Sequence, residues 1–323
     1  MHVVITGGAG FLGTKLAAAL LARGALTDVR GTARPIARIT LVDVTPTRID
    51  DPRVTSIVGD LADPALVARA LDASADSVFH LAAVVSGEAE ADFDLGWHVN
   101  FDATRALLEG CRALAAPARV VYASSCAVFG GPLPDPVPDT QALWPQSSYG
   151  NAKAVGEFLV NDYSRKGYID GRSLRLPTIS VRPGKANKAA SSFASGILRE
   201  PLNGVEAVCP VARETRMWLL SPRRAIDSII VAHETPTSAF SHTRSINLPG
   251  ISTSVDAMLA ALRQVAGDEV ASRVTFRPDP VIERIVRTWP VNFDTAFGRA
   301  LGMQADADFE SIVRQYIDDE LAA

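Results

Sequence analysis

The feature that most constrains this chain is its first turn. The compact apolar run HVVIT (2–6) breaks at once into GGAGFLG (7–13), and TKLAAALLARG (14–24) follows with helical periodicity closed by Gly24. A glycine-rich turn between strand and helix lets the backbone approach a pyrophosphate. The helix N-terminus adds unpaired N–H groups and a positive dipole end. The glycines satisfy two spacings, Gly8/Gly10/Gly13 and Gly7/Gly10/Gly13. Either spacing also fits a plain β-α turn, so the strand before it and the helix after it carry the weight.

The same alternation continues. ITLVDV (39–44), RVTSIVGDL (53–61), SVFHLAA (77–83) and ARVVYASS (118–125) read as strands, PALVARALD (64–72) and 97–114 as helices. SYGNAKAVGEFLVNDYSRKG (148–167) reads as a further helix and GRSLRLPTISVRPG (171–184) as a sixth strand. Strands alternating with helices imply βαβ units, and near-continuous apolar strands imply a sheet covered on both faces. The expected fold is α/β: a Rossmann-type doubly wound parallel sheet over 1–184, with a smaller, irregular substrate region over 185–323. That region could return elements to the first. The Pro-rich stretch from Pro132 to Pro145 is the most biased segment, and there is no internal repeat.

Composition narrows the partners. A net charge of -4, with 21% charged residues and no basic block, offers nothing to nucleic acid or an anionic membrane. No apolar stretch reaches the roughly 18 to 20 residues of a membrane span. The first strand begins at residue 2 or 3, which leaves no room for a signal peptide. Cys111, Cys126 and Cys209 are odd in number and far apart. Reduced thiols in the cytoplasm fit them better than disulfides. The five histidines show no ligand spacing, so no metal is expected.

Two acids follow the glycine turn in order. Asp43 ends the second strand, where a carboxylate can accept from the adenosine ribose hydroxyls and repel a 2′-phosphate, favouring NAD. The loop before it is long, and Arg34 within it could attract a 2′-phosphate. Asp60 could accept from an adenine amino group or cap the next helix. Tyr149 and Lys153 stand four residues apart on one helical face, with Ser124 and Ser125 at a strand end upstream. A nearby ammonium favours the phenolate and is expected to lower the tyrosine pKa, which would suit Tyr149 to proton transfer.

GGAGFLG, LVDV, GDLAD, HLAA, YASSCAVFG and SYGNAKAVGE, in this order, resemble the extended short-chain dehydrogenase/reductases, the NAD-dependent epimerase/dehydratase family. The likeness runs along the whole chain and is strongest up to about residue 184. It implies Ser125, Tyr149 and Lys153 as the catalytic group. It implies NAD contacts from Gly7, Gly10, Phe11, Leu12, Gly13, Asp43, Asp60, Leu61, Leu81, Ala82, Ala83, Asn100, Tyr149, Lys153, Pro177, Thr178 and Ile179. It also implies a homodimer built on helices 97–114 and 148–167. Phe129 stands where a tyrosine is common in the family.

The stretches 84–109 and 181–204 resemble the D-erythronate dehydrogenases, which oxidise the C2 hydroxyl of a four-carbon sugar acid. The residues give separate support. RPGKANKAASSF places Arg182, Lys185, Asn187, Lys188, Ser191 and Ser192 close together, and cations with hydroxyls suit a carboxylate among hydroxyls. A solvated loop and helix cap is the plainer alternative. Ser86, Ser125, Cys126, Tyr149, Arg182, Asn187, Lys188 and Ser192 are the substrate candidates, with Cys126 as pocket wall rather than nucleophile. The four tryptophans are expected to pack rather than bind. The expected activity is NAD-dependent oxidation of a small sugar acid. A nucleotide-sugar epimerase or dehydratase that retains NAD, and a non-catalytic NAD sensor, are the alternatives.

Overall fold

The computed structural model describes residues 1–321 apart from 48, 186–188 and 241–242. Seven parallel strands form the central sheet: β1 (His2–Thr6), β2 (Arg38–Asp43), β3 (Val54–Val58), β4 (Ser77–His80), β5 (Arg119–Ser125), β6 (Asp170–Leu176) and β7 (Ser245–Asn247). Their spatial order is β7-β6-β5-β4-β1-β2-β3, which is doubly wound about β1. Register on the two flanks of β1 pairs Val4 with Thr40 and with Val78.

Alternation along β1 explains its unbroken apolar run. Val3 and Ile5 are fully buried with Leu16 and Leu20 of α1 (Phe11–Arg23). Val4 faces the other way, into Val42, Val78 and Val120 with Leu66 of α2 (Pro64–Leu71) and Leu107 of α3 (Ala103–Arg112). Both faces of β1 are covered, which is why its run is apolar throughout. Helix ends follow local chemistry. Gly24 closes α1 with φ +73° and returns its N–H to Leu20. Asp63 caps α2 before Pro64, and Ser147 caps α4 (Ser148–Arg165) through Gly150 N.

Three segments differ from the sequence reading. The long β1-β2 connection contains a small antiparallel hairpin, Ala25–Thr27 with Ala33–Pro35. The expected helix 97–114 is a composite: Phe93–Trp97, then a π-helical turn over His98–Asp102, then α3. The expected strand 171–184 ends at Leu176, and Thr178–Ile179 joins a different sheet beside Arg216–Leu220.

The chain after residue 184 divides its elements. α6 (Pro222–Glu234) and β7 belong to the central sheet, with Ile226, Ile229 and Ile246 buried against β1 and α1. α5 (Phe193–Leu202) and α7 (Val255–Ala266) enclose a second core with Met217, Leu219, Ile312 and Val313. α8 (Pro280–Val286) rests on that core through Val286. Among the described residues no helix is long and apolar enough to cross a membrane. On the second of the helices named for a dimer contact, Phe158 lies largely in solvent.

Candidate active site

The glycine turn lines one side of a cavity of about 1010 Å³ at the carboxyl ends of the strands. Gly7 takes φ +69°, and a Cβ there would lie 2.8 Å from Ala82 N. A Cβ on Gly13 would strike the Gly7 carbonyl, so both positions require glycine if α1 is to start this close to β4. The Gly10 cap offers no side chain, and the first turn of α1 holds no acid. Its N–H groups are therefore left to a ligand. Asp43 braces the turn: Oδ2 accepts from Ala9 N at 3.0 Å, while Oδ1 accepts from Thr45 N at 3.3 Å. Bare backbone, a helix N-terminus and a strand-end carboxylate along one long cavity fit a dinucleotide. Arg34 is elsewhere, donating to Asp76 at 2.8 Å.

Beyond the glycine turn Asp60 and Leu61 line the cavity with Leu81, Ala82 and Ala83. Asp60 does not cap α2. Its Oδ1 accepts from Ala62 N at 2.9 Å, and Oδ2 meets His98 Nε2 at 2.6 Å. The backbone bond and the His98 contact hold the Asp60 carboxyl below its usual range, and the same contact raises His98. Asn100 is not among the residues that line the cavity. It is buried on the π-helical turn, accepting from Val84 N at 2.9 Å and donating to Val84 O at 3.1 Å. Its amide holds the loop after β4, because the π turn aims it there.

The other end of the cavity holds Ser125, Tyr149 and Lys153, with Pro177, Thr178 and Ile179 opposite. Ser125 ends β5, where its Oγ accepts from Ala127 N at 3.1 Å and its hydroxyl, beside Tyr149, acts to lower the phenol's pKa. Lys153 is buried, donates from Nζ to Ala123 O at 2.8 Å and sits 5.7 Å from the Tyr149 ring centre. Burial pushes its pKa down to about 7. The expected lowering of Tyr149 by Lys153 is not what these residues produce. Burial raises the phenol above its ordinary value, and the opposing groups are Ser125 and Arg182. The Lys153 ammonium is turned to the Ala123 carbonyl instead.

Arg182 stands beside Tyr149, its Nε donating to Ile179 O at 3.1 Å and its backbone N–H to Ser195 Oγ at 3.0 Å. Burial lowers its pKa and Tyr149 raises it, so the two groups feel each other. Ser86 and Cys126 also line the cavity. Burial pushes the Cys126 thiol up to about 12, so it is a thiol at neutral pH. Ser191, rather than Ser192, faces the cavity. Asn187 and Lys188 lie outside the described residues.

Several lining residues escaped sequence reading. Glu90 accepts from Ser148 N at 3.0 Å, at the start of the helix that carries Tyr149. Arg284 and Thr288 reach the mouth from α8 and the turn after it. Trp218 and Trp289 line the cavity as well as packing, and Trp144 is mostly exposed, so packing does not describe all the tryptophans. No local pattern announces these; Arg284, Thr288 and Trp289 come to the cavity with the elements packed on the second core. Among the described residues no three His, Cys, Asp or Glu gather as a metal site.

Known proteins share this architecture. The model of the NAD dependent epimerase/dehydratase family matches residues 3–220. The D-erythronate dehydrogenase of Cupriavidus necator is 56% identical over 320 residues, covering 99% of this chain and 98% of its own. The D-erythronate dehydrogenase of Haemophilus influenzae is 44% identical over 323 residues, covering 99% and 100%. A solved structure described as the nucleoside-diphosphate-sugar epimerase from Agrobacterium tumefaciens is similar at TM-score 0.93 and 41% identity. It covers 100% of this chain and 95% of that one.

Proposed function

Since this chain belongs to the NAD-dependent epimerase/dehydratase family and is an NAD-dependent oxidoreductase, we propose that it oxidises the C2 hydroxyl of a small sugar acid, D-erythronate, to 2-dehydro-D-erythronate. The observation that carries the substrate class is Arg182. A partly buried guanidinium beside Tyr149 gives a carboxylate its partner one carbon from the hydroxyl that reacts. The two relatives named D-erythronate dehydrogenase support the particular acid.

The glycine turn, the α1 N-terminus and Asp43 would hold NAD, which when bound supplies the hydride acceptor. Ser125 orients the C2 oxygen and, with Arg182, favours the Tyr149 phenolate. The phenolate takes the hydroxyl proton as the C2 hydride departs, leaving the ketone, and passes that proton to solvent. Lys153 ties the catalytic helix to Ala123 and contributes a cation to the site. Atoms balance: the hydroxy acid loses one hydride and one proton.

The test is purified protein with D-erythronate and NAD, followed by NADH absorbance. Sustained NADH formation is expected, with one NADH per acid consumed. Arg182→Met should raise KM for the acid roughly 10- to 100-fold, from a charged hydrogen bond of about 1.5–3 kcal/mol. The second reading, a nucleotide-sugar epimerase, has the Agrobacterium tumefaciens structure in its favour. Interconversion of nucleoside-diphosphate sugars without net NADH would replace the first reading with it.

A further inference from the structure

The helix that carries Tyr149 has a third polar residue in the same row. Tyr149, Lys153 and Glu157 recur every four residues on α4, and each meets a different residue of β5. Tyr149 lies beside Ser125, Lys153 donates to Ala123 O at 2.8 Å, and Glu157 Oε1 accepts from Ser124 Oγ at 2.6 Å. The helix lies close enough that a Cβ on Gly156 would strike the Tyr122 hydroxyl.

Glu157 is only 3% exposed, and its charge is met by Arg175 of β6, itself 5% exposed. Arg175 donates from Nε to both carboxylate oxygens, at 3.0 and 3.1 Å, and from Nη2 to Oε2 at 2.8 Å. Its Nη1 donates to Asn247 Oδ1 of β7 at 3.2 Å, and the guanidinium lies 4.8 Å from the Phe129 ring centre. Cys126, next to the catalytic serine, donates weakly from Sγ to the Arg175 carbonyl at 3.7 Å. One bidentate pair thus joins the catalytic helix to β5, β6 and β7.

A buried ion pair is weak evidence for stability, because well-packed apolar residues of similar volume do as well. Its distinctive property is directional: a fork meeting a carboxylate fixes rotation as well as distance. Helix rotation matters here. A slip of one residue turns α4 by about 100° and removes Tyr149 from Ser125.

We infer that Glu157 and Arg175 are positioning residues for the reaction. They lock α4 against β5 so that Tyr149 and Lys153 meet their partners, and they present a compensated charge under the site. The field of the pair reaches that site: Arg175 lowers and Glu157 raises the Cys126 thiol, in opposition. The inference rests on Tyr149 being the base and not on the identity of the acid.

The test compares Glu157→Gln and the doubly neutral Glu157→Gln/Arg175→Gln with the full-length protein. Gln keeps the size and the acceptor for Ser124 but leaves Arg175 uncompensated. For E157Q, kcat is expected to fall roughly 10- to 100-fold, as small misplacements of catalytic groups do. KM and the NAD dissociation constant, read by titration without substrate, should change less than about threefold. The acid limb of the kcat–pH profile should move to lower pH by about half a unit, because an uncompensated cation favours the phenolate. In the double variant the limb should return while kcat stays low. Unchanged kcat and pH profile in folded E157Q would overturn the inference. So would a loss that disappears at low temperature, where the variant is fully folded. Tyr149→Phe serves as the separate control: full activity there would sink the assignment of the base itself.

Discussion

Lys153 serves two ends that conflict. Its ammonium is buried against the Ala123 carbonyl, and burial pushes its pKa from the ordinary 10.5 down to about 7. The unfolded chain therefore binds more protons than the folded one between about pH 7 and 10.5. Stability from this residue rises with pH across that window, and the cost is fully present below about 7. Lys153→Met removes the buried charge while keeping much of the volume. The thermal midpoint at neutral pH should rise, its dependence between pH 7 and 10 should flatten, and dehydrogenase activity should be lost. A midpoint that falls, with the pH slope intact, would mean that the Ala123 bond outweighs desolvation. This is the usual exchange of stability for function at a site built to move protons. Tyr149 shows the other side of the same residue chemistry. The i, i+4 spacing with Lys153 was visible in the sequence, whereas the proximity of Arg182 was not, because it depends on the chain returning after residue 180.

At the scale of elements, the π-helical turn over His98–Asp102 fixes the loop after β4 that lines the cavity. The sequence reads as one helix over 97–114, since α3 has strong amphipathic periodicity and nothing in HVNFD forbids an α turn. The wider turn is set by a tertiary partner: Asn100 exchanges two hydrogen bonds with the Val84 backbone. Such turns recur at functional sites because they re-aim a side chain without ending the helix. Asn100→Leu leaves the Val84 N–H and carbonyl without partners, which costs about 1–3 kcal/mol. The denaturant midpoint should drop accordingly, and NAD affinity should weaken, because Ala82 and Ala83 line the cavity just before Val84. Wild-type NAD binding in this variant would show that the loop is held by other contacts. Strand positions were legible to within a residue or two for β1, β2 and β5, where both faces are apolar. The hairpin within 25–35 was not, being half-exposed and without a period-2 apolar pattern.

At the scale of the whole molecule, sequence rhythm and physical unit part company at residue 184. The alternation of strand and helix stops there because the chain then supplies elements to two cores in turn. Leu220, Ile226, Ile229, Phe240, Ile246 and Leu248 return to the core of Val3, Ile5, Leu16 and Leu20. A buried clasp closes the opposite, amino end of the sheet. Asp170 takes Arg119 at 3.0 Å, Arg172 at 3.3 Å and Arg244 at 3.0 Å. Arg119 and Arg172 also donate to the His233 and Thr235 carbonyls at the end of α6. We propose that NAD is held mainly by residues 1–184 and that residues 185–323 complete the substrate side of the cavity around Arg182, yet that neither part folds alone. A 1–184 fragment would expose the edge of β6 that β7 covers, leave β1 and α1 without α6, and strand two buried guanidinium groups without their carbonyl acceptors. Asp170 still pairs with both guanidinium groups, but each buried donor left without its carbonyl costs about 1–3 kcal/mol, a large share of an ordinary domain's stability. Calorimetry of the intact chain should therefore give one transition whose midpoint rises with NAD, and the fragment should give none. Two separate transitions, or a fragment that melts cooperatively and binds NAD, would show that the boundary at 184 divides stability as well as function.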